Sequence, residues 1–395
     1  MERIALEEAQ SRLTGALARA LPTESVALTE ALNRVLAEDI RASVDQPPFD
    51  RSPLDGYALR SADLAQIPVT LPVTQRIHAG DAPAGPLAPG TAARVMTGAP
   101  LPEGADCVLR QEDTDGGAFA VTAFARLKHH QNYVFAGEDV KRGQLLAAAG
   151  AHLSPAHIGV LAAQGILSVP VRRRARVALL STGSELVPAG QPLSPGRIYD
   201  SNAPLLAARL AQLGAVPRIC PAAPDGVAAL AAALDEAWRD SDLMITTGGV
   251  SVGERDFMPR MADALGARLL FHGVSVRPGS PALALERNGK LLIALSGNPF
   301  AAAATFELLA RPALEALSGS DWQPQRIPAT LGGDFPKPSP VRRFLRATLR
   351  GDTAFIGNSH ASGSLLSMIG CNCLIDVPAG SPPLHAGDAV TAWLM

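Results

Sequence analysis

Three carboxylates follow successive strand-like segments in the middle of the chain. Glu185 comes after the segment RVALLS, Asp225 after VPRICPA and Asp256 after DLMITT. The carboxyl ends of parallel strands meet at one edge of a sheet, so these side chains should converge there. Three neighbouring acids would repel one another unless a cation or a polar ligand lay among them, and such oxygen ligands suit Mg²⁺. The pattern therefore predicts a magnesium site at Glu185, Asp225 and Asp256.

A glycine loop lies between the last of these strands and its acid. Gly248 and Gly249 permit a sharp turn and a close approach of the backbone to a ligand, and the amides that follow can bind an oxyanion. Asp256 could instead cap the helix that follows it. Ser251 lies at the centre of a G-x-S-x-G pattern, so a serine hydrolase is the alternative from another enzyme class. The fit is loose, because the loop continues beyond the motif before the next helix begins.

Further candidate residues lie in turn-rich segments. Asp55 occurs in QPPFDRSPLDGYALRSADL, Thr97 in RVMTGAPLPEGAD and Asp139 in AGEDVKRG. Each lies in a loop where a ligand could bind, although turns also favour such residues for structural reasons. The sequence therefore predicts candidate sites in these loops and leaves the structural alternative open.

Composition excludes several classes of function. The 35 basic and 37 acidic residues give a formal net charge of −2, which offers no electrostatic basis for binding nucleic acid or an anionic membrane. The four cysteines have neither a zinc spacing nor the density of a secreted disulfide framework. No P-loop or G-x-G-x-x-G fingerprint occurs. We therefore expect a soluble cytoplasmic protein whose partners are small molecules and proteins.

The elements that must position these residues fall into four predicted domains. Residues 1–45 and 143–172 predict a discontinuous helical domain, with a second helix over the segment ALTEALNRVLAEDI, and residues 46–142 predict an inserted β-rich domain. Strands alternate with helices over 173–318, which predicts a doubly wound, parallel α/β domain. Residues 319–395 consist of turns and short strands, which predict a small C-terminal β barrel or sandwich.

An arginine cluster lies in the predicted barrel. The segment RRFLRATL contains Arg342, Arg343 and Arg346. If it forms a strand, Arg342 and Arg346 share one face and Arg343 lies on the other. Some of these arginines could therefore be ordinary surface charges.

Eight motifs occur in an order that resembles the MoeA family, which includes the gephyrin E domain. They are PPFDRSPLDGYA, RVMTGAPLPEGADCVLRQED, AGEDVKRG, STGSEL, DSN, TTGGVSVGERDF, VRPGSP and LSGNP. The members of this family are molybdopterin molybdenumtransferases, and the match covers nearly the whole chain. The resemblance implies a MogA-like α/β domain at 173–318 and a homodimer whose active cleft is built from both subunits.

The resemblance also implies a reaction, in which molybdate is inserted into adenylylated molybdopterin in the presence of Mg²⁺ and AMP is released. The implied partners are a MogA-like protein that adenylates molybdopterin and the molybdoenzyme apoproteins or their chaperones. The acidic positions carried over by motif are Asp55, Asp139, Glu185, Asp225 and Asp256. The substrate-binding positions carried over are Thr97, Gly248, Gly249, Ser251, Arg277, Pro278, Gly297, Asn298, Arg346 and Ser362.

Four positions depart from the family pattern. Arg277 stands where lysine is common, Gly273 where a second basic residue is expected, Ser280 follows RPG, and Ser296 replaces the proline of LPGNP. Loss of a cation near phosphates would weaken the binding of a pterin nucleotide or change which form is accepted. A MoeA paralogue with an altered substrate, metal or receiving enzyme is therefore the close alternative.

Overall fold

The computed structural model describes residues 3–18, 20–222, 226–250, 258–357 and 359–395. The chain forms two compact units. The larger unit comprises Met1–Glu38, Ala149–Ser154 and Ser168–Met395, and the smaller unit comprises Asp39–Ala148 and Pro155–Leu167. No helix in the described part of the chain is both long and apolar enough to cross a membrane.

The α-helices are α1 (Leu6–Gly15), α2 (Pro155–Ala163), α3 (Asn202–Gln212), α4 (Val227–Arg239), α5 (Met261–Ala264), α6 (Pro299–Thr305) and α7 (Arg311–Leu317). The strands are β1 (Thr23–Ala27), β2 (Ile40–Arg41), β3 (Gly56–Leu59), β4 (Val69–Ile77), β5 (Ala92–Val95), β6 (Cys107–Arg110), β7 (Ala120–Ala123), β8 (Leu145–Ala147), β9 (Ser168–Arg172), β10 (Arg176–Ser181), β11 (Leu186–Val187), β12 (Ile198–Tyr199), β13 (Val216–Ile219), β14 (Leu243–Thr247), β15 (Arg268–His272), β16 (Val276–Arg277), β17 (Leu283–Arg287), β18 (Lys290–Leu295), β19 (Arg326–Leu331), β20 (Arg342–Arg350), β21 (Thr353–Ile356), β22 (Cys373–Val377) and β23 (Ala389–Leu394).

The centre of the larger unit is a six-stranded sheet in the order β13-β10-β14-β18-β17-β15. Alternate residues of β10 enter different cores: Val177 and Leu179 pack on the side of α1, α3, α6 and α7, whereas Ala178 and Leu180 pack on the side of α4 and α5. Both faces are therefore buried, as the apolar run RVALLS predicts. The predicted doubly wound α/β domain is confirmed.

The predicted parallel arrangement holds for four of the six strands. The strands β13, β10, β14 and β18 are parallel, but β17 is antiparallel to both β15 and β18. The turn between β17 and β18 contains Asn288 and Gly289, which have φ of 54° and 74°. Two such residues close an antiparallel hairpin, whereas parallel strands need a longer crossover. This Asn-Gly pair was the local signal for the reversal.

The prediction of a second N-terminal helix over ALTEALNRVLAEDI is wrong. A single 3₁₀ turn at Leu28–Glu30 is followed by Asn33 with φ of 60°. The amides of Leu36 and Ala37 then donate to Ala151 O and Pro170 O, both at 3.0 Å. Hydrogen bonds to distant segments thus replace the i→i−4 bonds that the helical spacing predicts.

The other elements agree with the predicted fold class. In the larger unit, β20, β21, β19, β23 and β22 close into a barrel because β20 also pairs with β22. In the smaller unit, a five-stranded sheet has the order β6-β3-β5-β4-β7. The helix α2 begins with Pro155 in the first helical position and is followed by Gly165 with φ of 74°, so a proline and a glycine mark its two ends. The exact domain boundaries stay a prediction.

Candidate functional site

A cavity of about 770 Å³ lies at the carboxyl ends of β10, β14 and β18 in the larger unit. The residues that follow these strands, Thr182, Gly248 and Ser296, line one side of it. Residues of β16 and β20 line another side. The cavity therefore occupies the edge of the sheet where ligands of open α/β sheets bind.

Gly248 fixes the turn at the end of β14. Its φ is 87°, and its amide donates to Leu295 O at 3.0 Å. A Cβ atom here would lie 2.5 Å from Thr182 O, which is closer than packed atoms come. The two strand-end loops can approach this closely only because the residue between them is glycine.

Glu185 is the predicted metal ligand that the structure describes. It is exposed, lines the cavity and makes no side-chain hydrogen bond or ion pair with another described residue. Its carboxylate lies over Gly183, where a Cβ would be 2.6 Å from Oε1. Asp225 and Asp256 lie outside the described residues, and no cluster of three potential metal ligands occurs among the residues that are described.

Arg346 carries a buried charge at the other side of the cavity. It is only 2% exposed, and its Nη2 donates to Ser359 O at 2.7 Å and to Ala361 O at 2.9 Å. Its guanidinium lies 4.2 Å from the centre of the Phe300 ring. Its Nε and Nη1 have no hydrogen-bond partner in the described part of the chain. Burial lowers the pKa of Arg346 because the charged form is poorly solvated there.

Two more arginines line the same cavity. Arg277 and Arg343 lie opposite each other on the parallel strands β16 and β20. Neither forms an ion pair with a described residue. Burial, followed by repulsion from Arg277, lowers the pKa of Arg343. This part of the lining is therefore cationic, and Glu185 adds a carboxylate to the same cavity.

Polar groups of two further segments also line the cavity. Ser362 O accepts from the amide of Phe300 at 2.9 Å, which ties the segment after β21 to α6. Asn202, the first residue of α3, donates from Nδ2 to Gly297 O at 2.8 Å. The buried Oδ1 of Asn202 has no partner among the described residues. This oxygen is a buried acceptor without a described partner, on a residue that lines the cavity.

The structure brings nine predicted site residues into this cavity: Glu185, Gly248, Gly249, Arg277, Pro278, Gly297, Asn298, Arg346 and Ser362. Ser251, Asp225 and Asp256 lie outside the described residues. Sequence reasoning missed Asn202, Arg343 and His360 as lining residues. The motif DSN and the arginine cluster were available signals for the first two, whereas a single histidine in an irregular segment gives none.

The other predicted residues lie in the smaller unit. Asp55 precedes β3 and Thr97 follows β5, and these antiparallel neighbours bring the two side chains together. Asp55 Oδ1 accepts from the amide of Thr97 at 2.7 Å and from its hydroxyl at 2.9 Å. These bonds lower the pKa of Asp55. Asp139 is exposed, and its amide donates to Gln46 O at 3.0 Å.

One departure from the family pattern has a backbone explanation. Gly273 has φ of 105°, a conformation that side-chain-bearing residues rarely adopt, and its amide donates to Ala282 O at 2.9 Å. A basic residue at this position would therefore need a different local backbone. Arg277, Ser280 and Ser296 line the cavity.

Sequence families match three parts of the chain. Residues 4–165 match the MoeA N-terminal region (domain I and II), residues 178–316 a probable molybdopterin binding domain, and residues 328–395 the MoeA C-terminal region (domain IV). Together they cover most of the sequence.

Individual relatives agree with these matches. The molybdopterin molybdenumtransferase of Bacillus subtilis is 38% identical over 391 residues, covering 94% of this chain and 90% of the relative. That of Staphylococcus aureus strain Mu50 is 37% identical over 379 residues, with the same coverage. Two crystal structures of the molybdopterin biosynthesis MoeA protein of Pyrococcus horikoshii also match. The first has a TM-score of 0.85 and 31% identity, and the match covers 100% of this chain and 99% of that chain. The second has a TM-score of 0.88 and 29% identity, and the match covers 100% of both chains.

Proposed function

Because the chain belongs to the molybdopterin molybdenumtransferase (MoeA) family and is an enzyme of molybdenum cofactor biosynthesis, we propose that it inserts molybdate into adenylylated molybdopterin and releases AMP. The alternative of a serine hydrolase at Ser251 is disfavoured by this family membership. Two parts of this statement go beyond family membership: the adenylylated form of the substrate, and AMP as the leaving group.

The observation that carries the proposal is the buried, unpaired guanidinium of Arg346. Burying a charge without a counter-charge is costly, so such a group is retained where a ligand supplies the opposite charge. Guanidinium N–H groups suit oxyanions, because planar donors match the oxygen geometry of phosphate-like groups. Molybdate and a nucleotide phosphate both have this chemistry. Arg277 lies in the same cavity and adds a second cation for them.

In the proposed reaction an oxygen of molybdate or water bonds to phosphorus as the anhydride bond between the adenylate and the pterin phosphate breaks, and negative charge develops on the oxygen that leaves. Cationic donors that are already in position stabilise such charge without reorganisation. The backbone loop at Gly248 can approach a ligand closely, and Asn202 offers Oδ1 as an acceptor for a ligand N–H or O–H group. These residues bind and orient the substrate.

We include Mg²⁺ in the proposal, bound by Glu185 together with Asp225 and Asp256. The carboxylate of Glu185 fits this role, because it is exposed to the cavity, lies over a glycine and makes no ion pair within the described ranges. Bound Mg²⁺ would neutralise phosphate charge. Glu185→Gln keeps the shape and removes the charge, so we expect weaker Mg²⁺ binding with unchanged folding. Calorimetric titration of Mg²⁺ in the presence of AMP, alongside thermal unfolding, tests this, and wild-type Mg²⁺ affinity in the variant would contradict it.

The proposal also includes a homodimer and a role for Asp55, Thr97 and Asp139 in the reaction. These rest on the family resemblance, as do the partners, namely a MogA-like adenylating protein and molybdoenzyme apoproteins or their chaperones. Light scattering at micromolar concentration tests the dimer. A fully active monomer would contradict it.

The central test is an assay of AMP release from adenylylated molybdopterin. We expect release to require both molybdate and Mg²⁺. Omitting each in turn provides the controls, and tungstate in place of molybdate tests the choice of oxyanion. AMP release that is independent of molybdate, or none from this substrate, would favour a paralogue with an altered reaction.

A further inference from the structure

A second cavity, of about 520 Å³, lies at one end of the C-terminal barrel, and we call it the barrel-end pocket. It is lined by Asp334, Phe335, Lys337, Arg343, Ile356 and His360. Arg343 and His360 also line the larger cavity, whereas Lys337 belongs to the barrel-end pocket alone. The two cavities are therefore neighbours that share two basic residues.

Arg343 is held at this pocket by the barrel itself. It lies on the same face of β20 as Leu345 and Ala347, which are buried in the barrel core. Its guanidinium lies 5.3 Å from the centre of the ring of Phe335, which is itself fully buried. Its Nε is buried and has no hydrogen-bond partner among the residues that the structure describes. The side chain is thus fixed by packing, and part of its donor capacity is unused.

The charges around Arg343 are mostly positive. Lys337 is exposed and forms no ion pair in the described part of the chain. His360 packs edge-on against Phe335 at 5.0 Å. Burial, followed by repulsion from Arg346, Lys337 and Arg343, lowers the pKa of His360.

One acid lines the same pocket. Asp334 Oδ1 already accepts from the amide of Ala386 at 2.8 Å and lies 3.9 Å from His385 Nδ1. It makes no ion pair with Arg343 or Lys337. The pocket therefore combines a fixed, incompletely bonded guanidinium with an excess of positive charge.

We propose that the barrel-end pocket binds a tetrahedral oxyanion, with Arg343 and Lys337 as its cationic contacts. Such an anion would supply hydrogen-bond acceptors to the guanidinium and compensate charges that the protein leaves unpaired. The oxyanion is either free or the phosphate group of a larger ligand, since the cavity is larger than one such ion needs. This site goes beyond the proposed function, which uses Arg277 and Arg346 in the neighbouring cavity.

His360 is a built-in reporter for the test. Its titration is followed by NMR in chloride and in sulfate at equal ionic strength, and its signal is assigned with His360→Gln. Sulfate is tetrahedral and keeps its charge across the neutral pH range. An anion near the imidazole stabilises the protonated ring, so we expect sulfate to raise the pKa of His360 by about one unit. An identical titration in chloride, in sulfate and with added AMP would overturn the proposal.

Arg343→Gln locates the anion. In chloride it should raise the pKa of His360, because a neighbouring cation is removed, and it should abolish the effect of sulfate. Arg350→Gln, at an exposed arginine at the far end of the same strand, is the matched control and should leave the sulfate effect intact. Loss of the sulfate effect in Arg346→Gln with retention in Arg343→Gln would place the anion in the larger cavity and overturn the proposal.

Two further arms complete the experiment. Lys337→Gln, at an exposed position, should weaken the sulfate effect without affecting folding, and it replaces Arg343→Gln if thermal unfolding shows that variant to be misfolded.

AMP in place of sulfate distinguishes the sources: an effect of sulfate supports a free oxyanion, and an effect of AMP alone supports a phosphate of a larger ligand. The sulfate arm uses neither pterin nor molybdate, so it does not depend on the proposed reaction. AMP is the product of that reaction and His360 lines both cavities, so an AMP effect supports the barrel-end pocket only if Lys337→Gln weakens it and Arg346→Gln does not.

Discussion

Arg342 and Arg346 occupy the same face of β20, yet their surroundings differ completely. Arg342 donates to Asp376 from Nε at 2.8 Å and from Nη2 at 2.6 Å, and its Nη1 donates to Glu7 at 2.5 Å. Arg346 donates only to two carbonyl groups and is paired with no described acid. The first arginine joins elements of the fold, because its charge is satisfied within the protein. The charge of Arg346 is satisfied by no described acid, so a ligand can supply the opposite charge.

Two histidines show the same division. His152 Nε2 lies 3.0 Å from Glu315 Oε2, and this hydrogen bond is the main reason that the pKa of His152 is raised. His360 lies among cations, and its pKa is lowered, mainly by burial. His152 and Arg342 therefore pair with acids in structural contacts, whereas Arg277, Arg343, Arg346 and His360 line the two cavities and pair with no described acid.

Arg346→Met should have the largest effect. It removes the unpaired charge and keeps much of the apolar packing on Phe300, so we expect the folded state to be retained or slightly stabilised. Loss of a buried charge that contacts the substrate costs about 2–5 kcal/mol, so activity should fall by roughly 30-fold or more. Measured kcat/KM and thermal unfolding test the two parts together. If Arg346→Met is less stable than the wild type and its folded fraction keeps wild-type activity, Arg346 is a structural residue and both expectations are wrong.

Arg342→Met should have the opposite signature. It leaves Asp376 partly buried without its bidentate partner, so the free energy of unfolding should fall by about 1–3 kcal/mol. The activity of the folded fraction should be unchanged. Denaturant unfolding gives the free energy, and the double variant with Asp376→Leu should recover part of the loss. Equal stability of the single variant and the wild type would show that this ion pair is not a structural contact.

His152→Gln should have the smallest effect, and only in the pH dependence. The folded-state pKa of His152 is raised, so the stability that its pairing contributes is complete below the unfolded pKa of about 6.5 and is lost as pH rises through the folded pKa. Unfolding midpoints at about pH 5.5 and 8.5 should differ less in the variant than in the wild type. His78→Gln, at an exposed histidine, is the control. If the pH dependence of the unfolding midpoint is the same in His152→Gln and the wild type, the pairing of His152 with Glu315 does not contribute to stability.

The sequence by itself determined the elements whose signals are local. The apolar run of β10 predicts a strand buried on both faces, and the Pro155 and Gly165 boundaries predict α2, because period and turn chemistry act over a few residues. The ordered motifs determined the family and seven of the nine predicted residues of one cavity, and Arg346 and Ser362 lie outside those motifs. Even the antiparallel β17–β18 hairpin was encoded locally by Asn288 and Gly289.

Tertiary structure alone decided what depends on partners far apart in the chain. The segment after Glu30 has helical spacing but forms hydrogen bonds with residues near 151 and 170, and their number and geometry outweigh a weak propensity. Arg342 and Arg346 are indistinguishable by residue type and by position on the strand. Glu7 and Asp376 satisfy one of them, and no described acid reaches the other. The difference between a structural and a ligand-binding charge is therefore a property of the folded neighbourhood, because electrostatic pairing depends on distance in space.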